Sequence, residues 1–320
     1  MSLALGVMVE GQEGLSWARW RQLLDAVEAL GYESIWRSDH WFSFTEDRAL
    51  DALEPFMSFV LAAERTRRLR FGPLVSAVTF RPPALVARMA AQIDALSGGR
   101  FVLGMGAGWN VPEHEAFGID FPPVRERLDR LEEAIQVARA LWAPGPANFA
   151  GTHYQLRSAE CTPKPAQARL PILVGGNGEQ RTLRIVARHA DEWNALYLAP
   201  EAYRAKNAVL AERCAEVGRD PATLRRSMMI GYLVGRDTRE LHAHLAKLPA
   251  QRGGGARRDP ERAIGALRER GWLIGTPDAI VEQCGRLAEA GLDRLMLHHL
   301  ALDDDAALEL VAARVLPQLR

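Results

Sequence analysis

Ile172-Leu-Val-Gly175-Gly-Asn-Gly178-Glu-Gln-Arg181-Thr182 joins a short apolar strand to a glycine cluster, and a helical pattern runs on through Leu183, Val186 and Ala187. A strand that turns through glycine into a helix is half of a βα unit. Backbone amides at such a helix start attract phosphate, aided by the helix dipole. The plainer alternative is a tight turn that needs glycine. No Gly-Lys-Ser/Thr step follows, so the stretch is not a P-loop.

Working outward, the same alternation recurs along the chain. Further strand candidates are Leu3–Val9, Ser34–Ser38, Leu69–Ser76, Phe101–Gly106, Trp193–Tyr197, Met228–Val234 and Arg294–Leu300. Helical runs lie between them, among them Trp17–Leu30, Leu53–Glu64, Ala84–Leu96 and Arg125–Leu141. In the last, Leu128, Leu131, Ile135, Ala138 and Leu141 share one face, which is core packing against a sheet. Glycines just past periodic runs, as at Leu30-Gly31, Ser97-Gly98-Gly99 and Ala290-Gly291, mark helix ends. Eight strands in 320 residues suit an α/β fold of the (β/α)₈ TIM-barrel kind, with insertions in the βα loops, better than a doubly wound sheet. Two stretches exceed ordinary connections. Ala143–Arg169 carries a hairpin-like Phe149-Ala-Gly-Thr-His-Tyr154, and Leu248–Pro260 carries Gly253-Gly-Gly255. Each reads as a lid, an insertion or a mobile loop. No repeat or linker divides the chain, so residues 1–320 read as one domain.

Composition narrows the function. The formal net charge is zero with 25% charged residues, so nothing global attracts nucleic acid or an anionic membrane. Cys161, Cys214 and Cys284 are scattered and odd in number, which fits a reduced, cytoplasmic protein rather than a disulfide or zinc framework. The apolar Leu3–Val9 lacks a basic lead-in, soon meets Glu10, and reads as a strand rather than a signal or membrane segment.

In a barrel, residues at the C-terminal ends of strands make the active site. Ser38-Asp39-His40 stands at such an end, and the pair can orient a ligand or move a proton near neutral pH. Leu74-Val-Ser-Ala-Val-Thr-Phe-Arg81-Pro82-Pro83 runs from apolar strand into prolines. It reads as a pocket wall or as a buried strand before a helix. Gly104-Met-Gly106-Ala-Gly108-Trp109-Asn110 has glycines at alternate positions, which let a backbone approach a planar or phosphorylated ligand. Pro112 and Glu113-His114-Glu115 follow, so the dinucleotide fingerprint is incomplete. His298 and His299 alternate on the last strand and read as core histidines, one facing inward. His242 and His244, on a polar helix, read as solvated. No HExxH, GxSxG or Cys/His spacing suggests a metal or a serine nucleophile.

Together, Trp36-Arg-Ser-Asp39-His40, Val78-Thr-Phe-Arg81-Pro82 with Leu96-Ser-Gly-Gly-Arg100, Gly106-Ala-Gly108-Trp109, Glu113-His-Glu-Ala-Phe117-Gly118, and Gly175-Gly-Asn-Gly178 through Arg188-His-Ala-Asp191-Glu-Trp193-Asn194 resemble the luciferase-like monooxygenase family. Its members bind FMN or the deazaflavin F420, and the F420-dependent subgroup is the nearer likeness. The resemblance implies that Asp39 contacts the cofactor ring or ribityl chain and that His40 faces the reactive side. It implies that Leu74-Val75 is the family's cis peptide against the ring. Ala107 and Gly108, with Trp109 beside them, would flank the ring, while Gly175, Gly176, Asn177 and Gly178 would take the phosphate, with Arg181 and Arg184 near for an acidic tail. Sugar-phosphate dehydrogenases of the family carry a proton-donating glutamate where this chain has Trp109, and Glu113 is the available substitute. The implied function is hydride transfer between F420 and a small organic substrate. Alternatives are a monooxygenase using reduced FMN from a separate reductase, a flavin-binding protein without turnover, and a metal-free lyase or hydrolase built on Asp39-His40. With no second domain for a nicotinamide cofactor, an external supplier of reduced cofactor is implied. A homodimer through Leu53–Glu64 and Ala84–Leu96 is also expected.

Overall fold

The computed structural model describes residues 3–45, 48–249 and 259–319. The strands are β1 (Ala4–Val9), β2 (Ser34–Arg37), β3 (Arg70–Pro73), β4 (Ser76–Ala77), β5 (Leu103–Gly106), β6 (Ala147–Ala150), β7 (Gln155–Ala159), β8 (Ile172–Gly175), β9 (Glu192–Leu196), β10 (Arg225–Val234), β11 (Leu273–Gly275) and β12 (Arg294–His298). The helices are α1 (Trp17–Ala29), α2 (Pro55–Arg65), α3 (Pro83–Ser97), α4 (Val111–Phe117), α5 (Val124–Trp142), α6 (Thr182–His189), α7 (Pro200–Glu216), α8 (Thr238–Lys247), α9 (Pro260–Glu269), α10 (Pro277–Glu289), α11 (Asp305–Arg314) and α12 (Leu316–Leu319).

Parallel pairing runs β3-β2-β1-β12-β10-β9-β8-β5-β4. Segments β3 and β4 form one stave broken at Leu74–Val75: β3 pairs with β2, β4 pairs with β5, and a bridge from Phe71 to Phe101 closes the ring. The result is an eight-stave barrel, as the alternation predicted. Its strands are buried on both faces, which is why they read as apolar runs rather than alternating ones. The interior is filled by Met8, Trp36, Leu74, Val102, Leu173 and Met296, and the helices pack the outer face through a continuous core.

Local chemistry sets the helix boundaries. The Ser16 side chain caps α1 and Thr276 caps α10. Pro82 and Pro83 sit at the N-cap and first turn of α3, and Gly98 ends it at φ 67°, so this proline pair is a helix start. At Ala143–Arg169, β6 and β7 pair antiparallel as the hairpin. Segment β11 joins the far end of β10, and with α8 and α9 it encloses a separate apolar cluster around Trp272, Leu267 and Ile274. No sequence signal marked β11, which spans three residues. Gly253-Gly-Gly255 lies outside the described residues.

Several motif residues serve this frame. Arg100 donates to the carbonyls of Ala63, Thr66 and Leu69, tying α2 to the next stave. Asp191 accepts from the Ile172 amide and from Arg169. Arg294, fully buried, is held by Glu192 at 2.7 Å and Glu33 at 2.7 Å, so the charge deep in the barrel is paired. His244 is buried, not solvated, because its Nδ1 meets the Asp304 carboxylate; His242 reaches Glu261 at 2.8 Å nearer the surface.

Candidate active site

A cavity of about 790 Å³ opens at the C-terminal ends of the staves. Nearly every stave contributes to its wall: Glu10 after β1, Asp39 and His40 after β2, Ala107 to Asn110 after β5, Gly175 and Gly176 after β8, Tyr197 after β9, and His298 ending β12.

The Leu74–Val75 peptide is cis and lies in the cavity wall. The glycines of β5 are explained by this bulge rather than by a ligand. A Cβ on Gly106 would stand 2.6 Å from Val75 Cγ2, and one on Gly104 would stand 2.0 Å from the Pro73 carbonyl oxygen. Gly108 lines the cavity at φ 78°, and a Cβ there would stand 2.9 Å from Thr79 Oγ1, so this glycine too is required by its protein neighbours.

His40 and Glu113 come together. His40 Nδ1 is 2.7 Å from Glu113 Oε2, and the fully buried carboxylate also accepts from the Trp41 amide at 2.6 Å and from Asn110 Nδ2 at 2.7 Å. Glu113 thus lies behind His40 and not on the cavity wall. With three donors on the carboxylate, His40 holds its proton on Nδ1 and turns Nε2 to the cavity, as a carboxylate does for the histidine of a catalytic triad. Burial works to lower the His40 pKa. The hydrogen bond to Glu113 and the charges of Glu113, Glu10 and Asp39 outweigh it, so the net shift is upward. The rings of Phe44 and Trp109 meet His40 edge-on at 4.6 and 5.4 Å. Trp109 lines the cavity but is 64% exposed.

Asp39 also faces the cavity, with its carboxylate already occupied. Arg81 makes a two-pronged contact at 2.5 and 3.0 Å, and Ser76 Oγ donates at 2.7 Å. This explains why Arg81-Pro82 accompanies Asp39-His40 in the motif set.

At the opposite end, Gly175, Gly176 and Gly178 line the cavity beside Thr182 and Arg181. Gly176 has φ 133°, a region closed to side chains. Asn177 faces away: its amide exchanges hydrogen bonds with the Leu196 backbone at 2.9 and 3.0 Å and pins the loop to β9. Arg181 borders both this cavity and a groove of about 340 Å³ lined by Arg125, Arg184 and Arg188 with Asp129 and Glu132. Arg181 is paired with Asp129 at 2.5 Å, and Arg184 lies 3.8 Å from Glu216.

Sequence reasoning missed Glu10, Arg127 and Tyr197 as cavity residues. Glu10 and Tyr197 were detectable in principle, since each stands where a strand candidate ends. His298 is the inward ring of the His298-His299 pair and reaches the cavity, while buried His299 bonds the Tyr232 hydroxyl at 2.8 Å. Among the described residues there is no cluster of three metal-ligating side chains, and no helix is long and apolar enough to cross a membrane.

Comparison with known proteins agrees with this architecture. The profile of the luciferase-like monooxygenase family matches residues 3–294. An F420-dependent glucose-6-phosphate dehydrogenase of Amycolatopsis mediterranei is 28% identical over 92% of this chain and 92% of that protein. The pyrimidine monooxygenase RutA of Allorhizobium ampelinum is 36% identical over 52% of this chain and 43% of its own length. In fold, an F420-dependent secondary alcohol dehydrogenase, solved with an F420-acetone adduct, superposes with a TM-score of 0.84 at 21% identity, covering 100% of both chains. The chain belongs to the luciferase-like monooxygenase family.

Proposed function

We propose that the protein is an F420-dependent oxidoreductase that moves a hydride between the deazaflavin and a small organic substrate, with His40 as its acid/base. The observation that carries this reading is the His40–Glu113 pair, at 2.7 Å, presenting Nε2 to a cavity of cofactor size. That cavity, about 790 Å³, lies within the range of ligand sites. Leu74, Val75 and Ala77 offer an apolar bed for a flat ring, and the Gly175–Gly178 turn leading into α6 offers a place for phosphate. Beyond it, the groove holds four arginines against two carboxylates, which suits an acidic tail and favours F420 over FMN.

Bound there, the deazaflavin would supply a carbon centre that takes or gives two electrons as hydride. The chain's residues do the rest. When an alcohol is oxidised, its hydroxyl proton passes to His40 Nε2 as the carbinol hydrogen leaves. In the reverse direction the imidazolium returns that proton to the carbonyl oxygen. Glu113 acts through His40: it fixes the tautomer and stabilises the charged ring. Arg81 and Ser76 hold Asp39 in the wall between His40 and the bed.

FMN is the alternative cofactor, and the RutA likeness over half the chain supports a reduced-FMN monooxygenase fed by a reductase as the second reading. The test is anaerobic turnover: F420-loaded protein mixed with secondary alcohols should bleach the cofactor. Turnover solely with reduced FMN and oxygen would overturn the proposal. A separate reductase belongs to the monooxygenase reading, since alcohol oxidation here would itself reduce F420; the buried, unpaired Cys161, Cys214 and Cys284 suit a reducing cytoplasm. We also propose a homodimer through α2 and α3, whose outer faces expose Met57, Val60, Leu85 and Leu96.

A further inference from the structure

The mouth of the cavity carries apolar surface that the fold leaves uncovered beside His40. Phe44, Trp109 and Val124 all line the cavity, yet they are 43%, 64% and 59% exposed. Leu128 lies one turn on from Val124 along α5 and lines the cavity with it. Large apolar side chains grouped at a concave opening mark a binding surface. His40 stands at the foot of this rim. Its ring is 4.6 Å from that of Phe44 and 5.4 Å from that of Trp109, and those two rings are 5.5 Å apart.

The rim is held in place by polar contacts behind it. Glu13 accepts from the Phe44 amide at 3.0 Å and from the Ser43 hydroxyl at 2.7 Å, which fixes the loop after β2. Arg127 donates to the carbonyls of Ala107, Gly108 and Pro122. Its guanidinium thus ties the backbone just before Trp109 to the start of α5, where Val124 and Leu128 sit. A ligand that meets these side chains loses little affinity to ordering them.

The same bonds decide the charge of this stretch. Among the described residues, the arginines lining the cavity are Arg127 and Arg181, and no lysine lines it. Arg127 is committed to three carbonyls, and Arg181 is paired with Asp129 beside the Gly175–Gly178 turn. A phosphate or carboxylate carried into the rim would shed water and find no arginine or lysine to replace it. An aryl or alkyl group there would cover the exposed faces of Phe44 and Trp109.

We propose that Phe44, Trp109, Val124 and Leu128 form the substrate subsite, and that the substrate is an apolar compound with an aryl or branched alkyl group next to its reacting carbon. A carbon whose oxygen meets His40 Nε2 has that group within reach of both aromatic rings. The inference rests on the hydride-transfer reading and names the substrate class for it. It also assigns Trp109 to the substrate rather than to the cofactor ring.

The experiment first measures F420 affinity. Calorimetric titration of the oxidised, F420-loaded protein then compares acetophenone and cyclohexyl methyl ketone with dihydroxyacetone and dihydroxyacetone phosphate, so that the readout is binding and not activity. The apolar ketones should bind at least about tenfold more tightly. Trp109→Ala and Phe44→Ala should each weaken them about tenfold, as the loss of roughly 60 Å² of apolar contact implies, with F420 affinity within about twofold of wild type. Trp109→Phe keeps an apolar ring and should recover most of the loss. Preference for either polar ketone, equal or absent binding of all four, or unchanged affinity in either alanine variant overturns the inference. So does a loss of F420 affinity in Trp109→Ala that matches its loss of ketone affinity, which places Trp109 on the cofactor. A changed oligomeric mass in the variants with ketone affinity intact also overturns it, and places another chain on the rim. Failure of wild type to bind F420 sinks the cofactor reading alone, since the same titrations of the apo-protein still judge the rim.

Discussion

Glu113→Gln should disable His40 without emptying the cavity. In the native site each donor finds an acceptor: His40 Nδ1 and Asn110 Nδ2 point at Oε2, and the Trp41 amide points at Oε1. A glutamine has one oxygen and one NH₂ in those places. If its oxygen stays with Trp41, the NH₂ faces His40 Nδ1 and Asn110 Nδ2. The imidazole must then move its proton to Nε2, which puts a donor where the reaction needs a base. If the amide flips, the NH₂ collides with the Trp41 N–H, leaving a buried donor unsatisfied at about 1–3 kcal/mol. Loss of positioned proton transfer is worth about 10²–10⁴ in rate. The variant also loses the interaction that outweighs burial and raises the His40 pKa, so the pH midpoint for oxidation should move down. The assay is two-fold: kcat against pH for alcohol oxidation, and ¹⁵N NMR of the His40 imidazole, which reads tautomer and pKa without turnover. F420 affinity should stay near wild type because Glu113 does not line the cavity. Unchanged tautomer, pKa and kcat in Glu113→Gln would refute the assignment of Glu113 as the residue that sets His40.

Arg81→Met strands the Asp39 carboxylate in a buried wall and should destabilise the fold by about 3–5 kcal/mol; adding Asp39→Asn should recover much of this in urea titrations, and no recovery would mean that Arg81 acts elsewhere. Burial above all, with Arg19 and His298, lowers the His299 pKa to about 4 while Asp304 and Asp305 oppose it. The unfolded chain then takes up this proton first, near pH 6.5, so stability should fall as pH drops from about 6.5 toward 4, by on the order of 3 kcal/mol when complete. His299→Phe should remove that acid sensitivity, read from urea midpoints across the range. Met57→Glu with Leu85→Glu, both exposed on α2 and α3, should turn a dimer into a monomer by light scattering, and a wild-type monomer at micromolar concentration would reject the dimer.

The barrel was legible because its two periodicities are strong. Buried parallel strands read as short apolar runs, and amphipathic helices such as α5 show one-sided stripes. The third stave was predicted as a single strand, Leu69–Ser76, because composition does not reveal a break at Leu74–Val75. The short β11 left no mark, since three residues cannot show a period. At the site, Asp39 and His40 stood out as adjacent titratable residues at a strand end. Glu113 and His40 are far apart in sequence, and their contact exists through folding alone. Glu10 and Tyr197 are single residues without a motif, so the barrel's geometry, not their neighbours, identifies them. His244 misled because a polar helix face hides the one position that turns inward to Asp304. The glycines of β5 misled for a related reason: glycine announces a close approach but not whether the neighbour is a ligand or, as here, Val75 and the Pro73 carbonyl.

This cavity, with its arginine-lined groove beyond the Gly175–Gly178 turn, suits F420. Titrating the purified apo-protein with F420 and with FMN, side by side at low and at high salt, tests it most directly. F420 should bind more tightly than FMN by at least about tenfold, or ~1.4 kcal/mol, with an advantage that shrinks as salt screens the arginines. Tighter binding of FMN, or an F420 affinity indifferent to salt and to Arg181→Glu, would contradict it.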